Sequence, residues 1–379
     1  MSADKSILPT SAQLAALPAE VITLAQPPPT LGHDVLPGGA QHCGGDLGFP
    51  NMTTAAPCYG YKVPVLPMVP GAVAIFPGAD VCHFTTQHSP ESQRQPGCSA
   101  HLSFAVQTPR VLFHDPAVGQ PTASLHSDIL ALGAGDASSA YWADAVRIPV
   151  WHYSSAFSPT VRQSWSERWM MALPWQRVIL YDVASPEQTP LVFFAHDGGL
   201  PQQVSRICRR HFNFLHDHWR FSLSRHSKAS NSNGCLHEDC RGAQRMEMLG
   251  IHSRRRNIRK PPTRTRPGVR VSNRLGDLDA YVVHFDHPDL FDHGVLRNIF
   301  NAMSARMWEL MPGSCALVAK ELQQARTRER IFSCTGHAVV SDDSIVSNVG
   351  ISAAYQSPPH FDRTDMGWTY AFACKCGPC

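Results

Sequence analysis

A histidine and an aspartate separated by one residue lie near the end of the sequence, at His360-Phe361-Asp362. In a β-strand the side chains of residues i and i+2 point to the same face of the sheet. An imidazole and a carboxylate at this spacing can therefore reach one metal ion. Two His and one carboxylate on one face of an octahedron are the ligand set of non-haem Fe(II) oxygenases. The tripeptide predicts two ligands of an iron site, His360 and Asp362.

The spacing of this tripeptide is weak evidence when it is taken alone. The chain contains 20 His residues, and a second copy of the same tripeptide occurs at His284-Phe285-Asp286. An alternative interpretation is that His360 and Asp362 are ordinary surface residues that follow Pro358-Pro359. The residues that surround His360 favour the metal site over this alternative.

The surroundings of His360 resemble the motif of the TET/JBP-like 2-oxoglutarate/Fe(II) oxygenases, especially a fungal, transposon-associated branch of that family. The resemblance is carried by seven residues: Asn348, Ser357, His360, Asp362, Asp365, Gly367 and Trp368. It implies that His360 and Asp362 bind iron and that the cofactors are Fe(II) and 2-oxoglutarate. It also implies that the family chemistry is hydroxylation of a 5-methylpyrimidine in nucleic acid.

The same resemblance implies a distal His well downstream, followed by a basic residue that binds the 2-oxoglutarate carboxylate. Only 17 residues follow Asp362, and none of them is a His. A jelly-roll core also needs about eight strands, more than the sequence around the motif predicts. We therefore expect a truncated or degenerate family member that is inactive as this chain, with no catalytic residue beyond the two iron ligands.

The charge of the chain is unevenly distributed, which suggests a second hypothesis. Residues 201–280 contain 17 Lys and Arg against 6 Asp and Glu, whereas residues 1–200 contain only 8 Lys and Arg. Basic tracts bind phosphates or direct nuclear import, and a solvated linker is an equally good interpretation. The candidate DNA or RNA contacts are Arg254, Arg255, Arg256, Arg259 and Lys260. The alternative function is a non-catalytic nucleic-acid-binding or interaction protein; a chain without a selected function is a third reading.

The 12 cysteines are scattered between Cys43 and Cys379. They lack the dense spacing of a secreted disulfide scaffold, which indicates an intracellular protein with reduced thiols. Two further soft-metal patterns occur, one of them Cys374-x-Cys376-x2-Cys379. The other could bind zinc through Cys208, His211, Cys235 and Cys240, although unpaired thiols in a polar linker are the favoured interpretation.

The predicted fold class is α+β, with helices leading into a partial double-stranded β-helix (jelly roll) and a long irregular N-terminal region. Proline is abundant, at 31 residues, and charged residues make up only 17%, so we expect much irregular backbone. The expected regions are 1–144, mostly disordered or loosely ordered; 145–200, a small strand-containing unit; 201–276, a basic linker; and 277–379, a helical pair with a partial oxygenase-like β core.

Local periodicity predicts several individual elements. The apolar runs Val178–Val183 and Leu191–Phe194 indicate two buried strands. A helix is expected from Asp292 to Met311 and a second from Ser314 to Arg330, with Pro312 and Gly313 between them. The predicted buried stripe of the first helix is Val295, Ile299, Met303 and Trp308. No apolar run approaches the about 20 residues of a membrane span, so we expect no membrane association.

Overall fold

A computed structural model of the chain describes fifteen segments. These are residues 46–55, 63–85, 102–113, 123–152, 169–171, 177–185, 189–207, 224–226, 245–255, 269–272, 278–282, 293–328, 344–353, 357–363 and 365–374.

The described strands form two sheets. The five-stranded sheet has the order β16-β5-β1-β3-β8, and its strands are β1 (Leu47–Gly48), β3 (Val63–Leu66), β5 (His83–Thr85), β8 (Trp169–Met171) and β16 (Ser357–His360). The twelve-stranded sheet has the order β13-β14-β12-β15-β6-β17-β4-β10-β9-β7-β2, with β11 paired to β12. Its strands are β2 (Met52–Thr54), β4 (Val73–Phe76), β6 (Leu102–Gln107), β7 (Val146–His152), β9 (Arg177–Asp182), β10 (Pro190–Ala195), β11 (Ser224–His226), β12 (Arg245–Arg255), β13 (Val269–Ser272), β14 (Leu278–Val282), β15 (Asn348–Ala353) and β17 (Thr369–Cys374).

Helices cover one face of the large sheet. They are α1 (Ala123–Ala131), α2 (Gly133–Asp136), α3 (His293–Leu310) and α4 (Pro312–Arg328), with short 3-10 helices at Arg110–Phe113 and Ala140–Trp142. Within the segments described above, no helix combines the length and the apolar character needed to cross a bilayer.

Two apolar cores lie on opposite faces of the large sheet, as β4 illustrates. Val73 and Ile75 belong to the core shared with α3 and α4. Ala74 and Phe76, which alternate with them, belong to the core shared with β1 and β3 of the small sheet. The strand alternates because successive side chains point to opposite faces. The described chain therefore has three layers: the small sheet, the large sheet and the helices.

A strand from late in the sequence lies in the centre of the large sheet. β17 pairs antiparallel with β4 on one side and with β6 on the other. This places the segment that follows His360 and Asp362 between two strands from the first third of the chain.

The α+β class is confirmed, since helices and mixed sheets are both present. Residues 1–144 are expected to be mostly disordered or loosely ordered, and their described part contains β1 to β6 and α1. Pro and Gly, which break long elements, also delimit very short strands. β3 even contains Pro64.

The basic linker expected at 201–276 contains β11, β12 and β13. β12 is long enough to pair with β15 over one part of its length and with β14 over the other. In the described part, strands from the regions 145–200 and 277–379 lie in the same large sheet.

The two long helices are confirmed at α3 and α4, and the two buried strands at β9 and β10. Two details were wrong. Trp308 is 36% exposed, and the neighbouring Met307 is buried instead. α4 begins at Pro312 rather than at Ser314, because a distant carboxylate caps it: Asp136 accepts hydrogen bonds from the backbone N–H groups of Gly313 and Ser314 at 2.6 and 3.0 Å.

Candidate metal centre

Two histidines are brought together by the pairing of β5 with β16. The strands are antiparallel, and His83 lies directly opposite His360 in their register. The two imidazole rings are 4.3 Å apart between centroids. His83 is buried, at 6% exposure, while His360 is partly exposed. Strand pairing thus fixes the separation of the two rings.

Asp362 completes the group two residues after His360. Its Oδ2 atom is 3.3 Å from Nε2 of His83, and its Oδ1 atom is 3.8 Å from Nε2 of His360. One potential ligand atom from each of the three residues lies within 4.8 Å of the others. Ligand atoms this close can share one ion, since metal–ligand distances for His N and carboxylate O are about 2.0–2.2 Å.

A second contact of His83 indicates which of its ring nitrogens is placed to bind a metal. Its Nδ1 atom is 3.1 Å from the backbone carbonyl oxygen of Val81. A carbonyl oxygen only accepts hydrogen bonds, so Nδ1 carries a proton and Nε2 is the ring nitrogen that faces Asp362. Metal-binding histidines are typically oriented by this kind of bond from the other ring nitrogen. Nε2 is therefore the nitrogen through which a neutral His83 ring could bind a metal.

Asp362 is held from two sides. Its backbone N–H donates to the carbonyl oxygen of Gly78 at 2.8 Å, and Nε2 of Gln107 donates to its Oδ2 at 3.0 Å. The approach to Gly78 is close: a Cβ atom there would lie 2.6 Å from Oγ1 of Thr369 and 3.4 Å from Cβ of Asp362. Glycine at position 78 lets the turn after β4 reach the metal group.

His126 ties the same turn to the loop before β17. Its Nδ1 accepts a hydrogen bond from the backbone N–H of Gly367 at 2.9 Å, and its Nε2 lies 2.8 Å from Oδ2 of Asp80. Burial raises the pKa of Asp80, but the hydrogen bond from His126 and the charge of Arg110 outweigh it, so the pKa is lowered. Asp80 stays ionised and keeps the bond to His126.

A basic side chain lies next to this loop. Nε of Arg110 donates to the carbonyl oxygen of Asp365 at 2.6 Å. The backbone N–H of Asp365 donates to the carbonyl oxygen of Asp362 at 2.8 Å. The guanidinium of Arg110 is thereby placed beside the segment that carries a metal ligand, and it has further N–H donors.

The sequence motif identified His360 and Asp362, which the structure brings together, and missed His83. The only local signal of His83 is a His inside a short apolar run after a Pro-Gly turn, Val81-Cys82-His83-Phe84. That run predicts a strand but does not indicate which strand pairs with it. His83 could therefore not be identified as a candidate ligand without the β5–β16 pairing.

Several other predicted site residues lie outside the described segments: the repeat at 284–286, the zinc candidates at 208, 211, 235 and 240, Cys376, Cys379, Arg256, Arg259 and Lys260. Arg254 and Arg255 lie in β12 and Cys374 lies at the end of β17. Cys374 is buried, and Oγ of Ser205 donates to its sulfur at 3.4 Å.

Comparison of the chain with protein-family models, with curated proteins and with solved structures gave no match. Function therefore has to be inferred from the geometry and the donor set. Two imidazole nitrogens and one carboxylate oxygen suit a first-row transition metal, and this combination with open positions is the pattern of non-haem Fe(II) sites. The residues present fit such an ion.

Proposed function

We propose that this chain is an Fe(II)- and 2-oxoglutarate-dependent oxygenase whose iron is held by His83, His360 and Asp362. The observation that carries the proposal is the convergence of these three residues, because it supplies two imidazoles and one carboxylate at one point. Bound Fe(II) would supply oxygen activation coupled to oxidative decarboxylation of the 2-oxo acid. The protein's own part is to orient the two imidazoles and the carboxylate.

The layered architecture supports the proposal. The ligands His83 and His360 come from the small sheet, while Gln107, which holds Asp362, ends a strand of the large sheet. The metal group thus lies where the edge strand β16 of the small sheet approaches the end of β6 in the large sheet. Phe76, a member of the core between the sheets, contacts the ring of His83. We infer a distorted double-stranded β-helix in which the third ligand comes from before the His-x-Asp tripeptide in the sequence.

Arg110 is the proposed partner of the 2-oxoglutarate carboxylate. Its Nε donates to Asp365, and its outer N–H groups form a planar fork that matches a carboxylate. It comes, like His83, from the first third of the chain. Arg110 would then take the role of the basic residue that follows the distal His in the TET/JBP-like family.

The test of the oxygenase uses the purified full chain with Fe(II) and 2-oxoglutarate, and succinate formation is measured. We expect succinate from the wild type and none above background from His360→Ala. The matched control is His284→Ala, because the tripeptide His284-Phe285-Asp286 is identical in sequence; it should leave succinate formation unchanged. No succinate from the wild type, or equal loss in both variants, would reject the proposal.

A second proposal concerns nucleic acid, and the register of β12 favours it. Gln107 pairs with Asn348 in β15, and Asn348 pairs with Gly250 in β12. With strands about 4.8 Å apart, Gly250 lies about 10 Å from Gln107. β12 continues from there to Arg255, paired with β14, which pairs with β13. A ribbon that contains Arg254 and Arg255 therefore extends the large sheet from a point near the metal group.

This ribbon, β12 beyond Gly250 with β14 and β13, would bind phosphates of a nucleic-acid substrate. Replacing Arg254 and Arg255 with Gln should weaken binding to a DNA oligonucleotide and reduce the slope of log affinity against log salt by up to about 2. His360→Ala should bind DNA like the wild type. Unchanged salt dependence in the double Gln variant would rule out this surface.

A further inference from the structure

Gln107 is the side chain that joins the large sheet to the metal group. It is the last residue of β6, and its amide nitrogen donates to Oδ2 of Asp362 at 3.0 Å. Its neighbours Phe104 and Val106 belong to the core on the helix side of the sheet. Because side chains alternate along a strand, Gln107 points to the opposite face, towards the small sheet that carries the two histidines.

The position of Gln107 is supported by the strand next to it. Asn348, buried at 1% exposure, lies directly opposite Gln107 in the pairing of β15 with β6. Side chains of directly opposed residues lie about 5 Å apart on the same face. Gln107 is therefore confined by a buried polar neighbour on one side and by Asp362 on the other, which limits the rotamers its amide can adopt.

We infer that Gln107 is a positioning residue for metal binding, acting through Asp362; the inference rests on the proposed metal site. An ionised carboxylate has several lone pairs and can rotate to bind a metal with one oxygen or with both. An amide N–H fixed on Oδ2 restricts that rotation and satisfies one lone pair. Asp362 is thereby presented in one orientation before the ion arrives. Partners of this kind typically change metal affinity about 10–100-fold when they are removed.

The experiment measures Co(II) binding, with Co(II) as the spectroscopic substitute for Fe(II), on the full chain. Gln107→Leu removes the donor at similar volume, and we expect Co(II) to bind about 10–100-fold more weakly, with altered visible absorption bands because the carboxylate is no longer held. The midpoint of thermal unfolding in chelator should stay close to that of the wild type. Gln203→Leu, at an exposed glutamine, is the matched control and should bind like the wild type.

The outcomes separate the inference from the proposed site. If the wild type binds Co(II) and Gln107→Leu binds it equally well with the same absorption bands, Gln107 has no positioning role although the site stands. If the wild type binds no Co(II), both the site and the role of Gln107 are rejected. If Gln107→Leu does not fold, Gln107→Glu serves instead: it keeps the shape, places a carboxylate against Asp362, and should also weaken Co(II) binding; wild-type affinity would overturn the inference.

Discussion

His83 and His360 are directly opposite each other across an antiparallel strand pair, although they come from opposite ends of the sequence. The pairing is irregular between Ser357 and His360, so the ladder is interrupted where the ring of His360 turns towards His83. Ligands fixed by strand pairing are held more exactly than ligands on loops. The separation of the two imidazoles is set by the sheet, so a metal ion would bind to an arrangement that already exists without it.

The first prediction concerns His83. Saturating Co(II) should raise the midpoint of thermal unfolding of the wild type, because an ion that binds only the folded chain stabilises it by about 2.7 kcal/mol at 100 times its Kd. His83→Ala should abolish this rise and reduce the bound Co(II) from one ion per chain to none. Calorimetric unfolding and a metal titration measure both effects.

His284→Ala is the control for His83→Ala and should keep the wild-type response to Co(II). A full Co(II) response in His83→Ala would mean that the ion is held elsewhere.

The second prediction concerns Arg110. Arg110→Gln removes the guanidinium, and hydrogen bonds to a charged group contribute about 1.5–3 kcal/mol. The KM for 2-oxoglutarate should therefore rise about 10-fold or more, while Co(II) affinity without 2-oxoglutarate stays unchanged. Steady-state succinate formation at varied 2-oxoglutarate gives the KM. Arg363→Gln, at an exposed Arg next to Asp362, is the comparison. A raised KM in that variant alone would mean that Arg363, and not Arg110, binds the 2-oxoglutarate carboxylate.

The third prediction concerns the cap of α4. Asp136 is 2% exposed and accepts hydrogen bonds from Gly313, from the backbone of Ser314 and from its hydroxyl. Asp136→Ala removes the acceptor of the two backbone N–H groups at the start of α4, while the Ser314 hydroxyl keeps the carbonyl oxygen of Ile129 as an acceptor. We expect the free energy of unfolding to fall by about 2–3 kcal/mol. Urea unfolding measures it. Asp128→Ala, at an exposed Asp of α1, should cost less than about 0.5 kcal/mol; equal losses in the two variants would contradict the capping role.

The fourth prediction is a pH dependence of stability that involves His152. Burial lowers the pKa of His152 below 6.5, against the opposing charges of Asp182 and Asp80. Nδ2 of Asn51 lies 2.9 Å from Nε2 of His152 and can donate only to the unprotonated nitrogen. The unfolded chain therefore binds the extra proton, so this contribution is complete above pH 6.5 and is lost as pH falls towards the folded-state pKa.

The measurement is the free energy of unfolding in chelator at several pH values between 8 and about 5. The wild type should lose more stability below pH 6.5 than His152→Gln does, so the difference between the two chains should shrink as pH falls. A difference that is constant with pH would show that His152 does not titrate on unfolding.

Local sequence patterns predicted those helices and strands whose periodicity is visible within a short stretch of residues. The apolar periodicity of residues 293–328 gives α3 and α4, and the run before Asp182 gives β9, because helix and strand periods are visible within ten or twenty residues. The His-x-Asp spacing gives two of the three proposed metal ligands for the same reason. The rest of the fold and of the site depends on which elements pair with one another, and local patterns do not show that.

His83, Gln107 and Asp136 were missed because their roles depend on contacts with residues 360, 362 and 313–314. The strands in the first third of the chain were not delimited from the sequence for a related reason. Its strands are two to six residues long, too short for a period to be visible, and their stability comes from burial between layers.

The position of β17 has a consequence for the order in which the chain can fold during synthesis. β4 and β6 are made early, but neither pairs with the other; the strand between them is made almost 300 residues later. The nascent N-terminal part therefore exposes two unpaired strand edges, which are prone to aggregation. Such distant pairings also form slowly. We expect the metal site and the centre of the sheet to form together, after translation has passed Cys374.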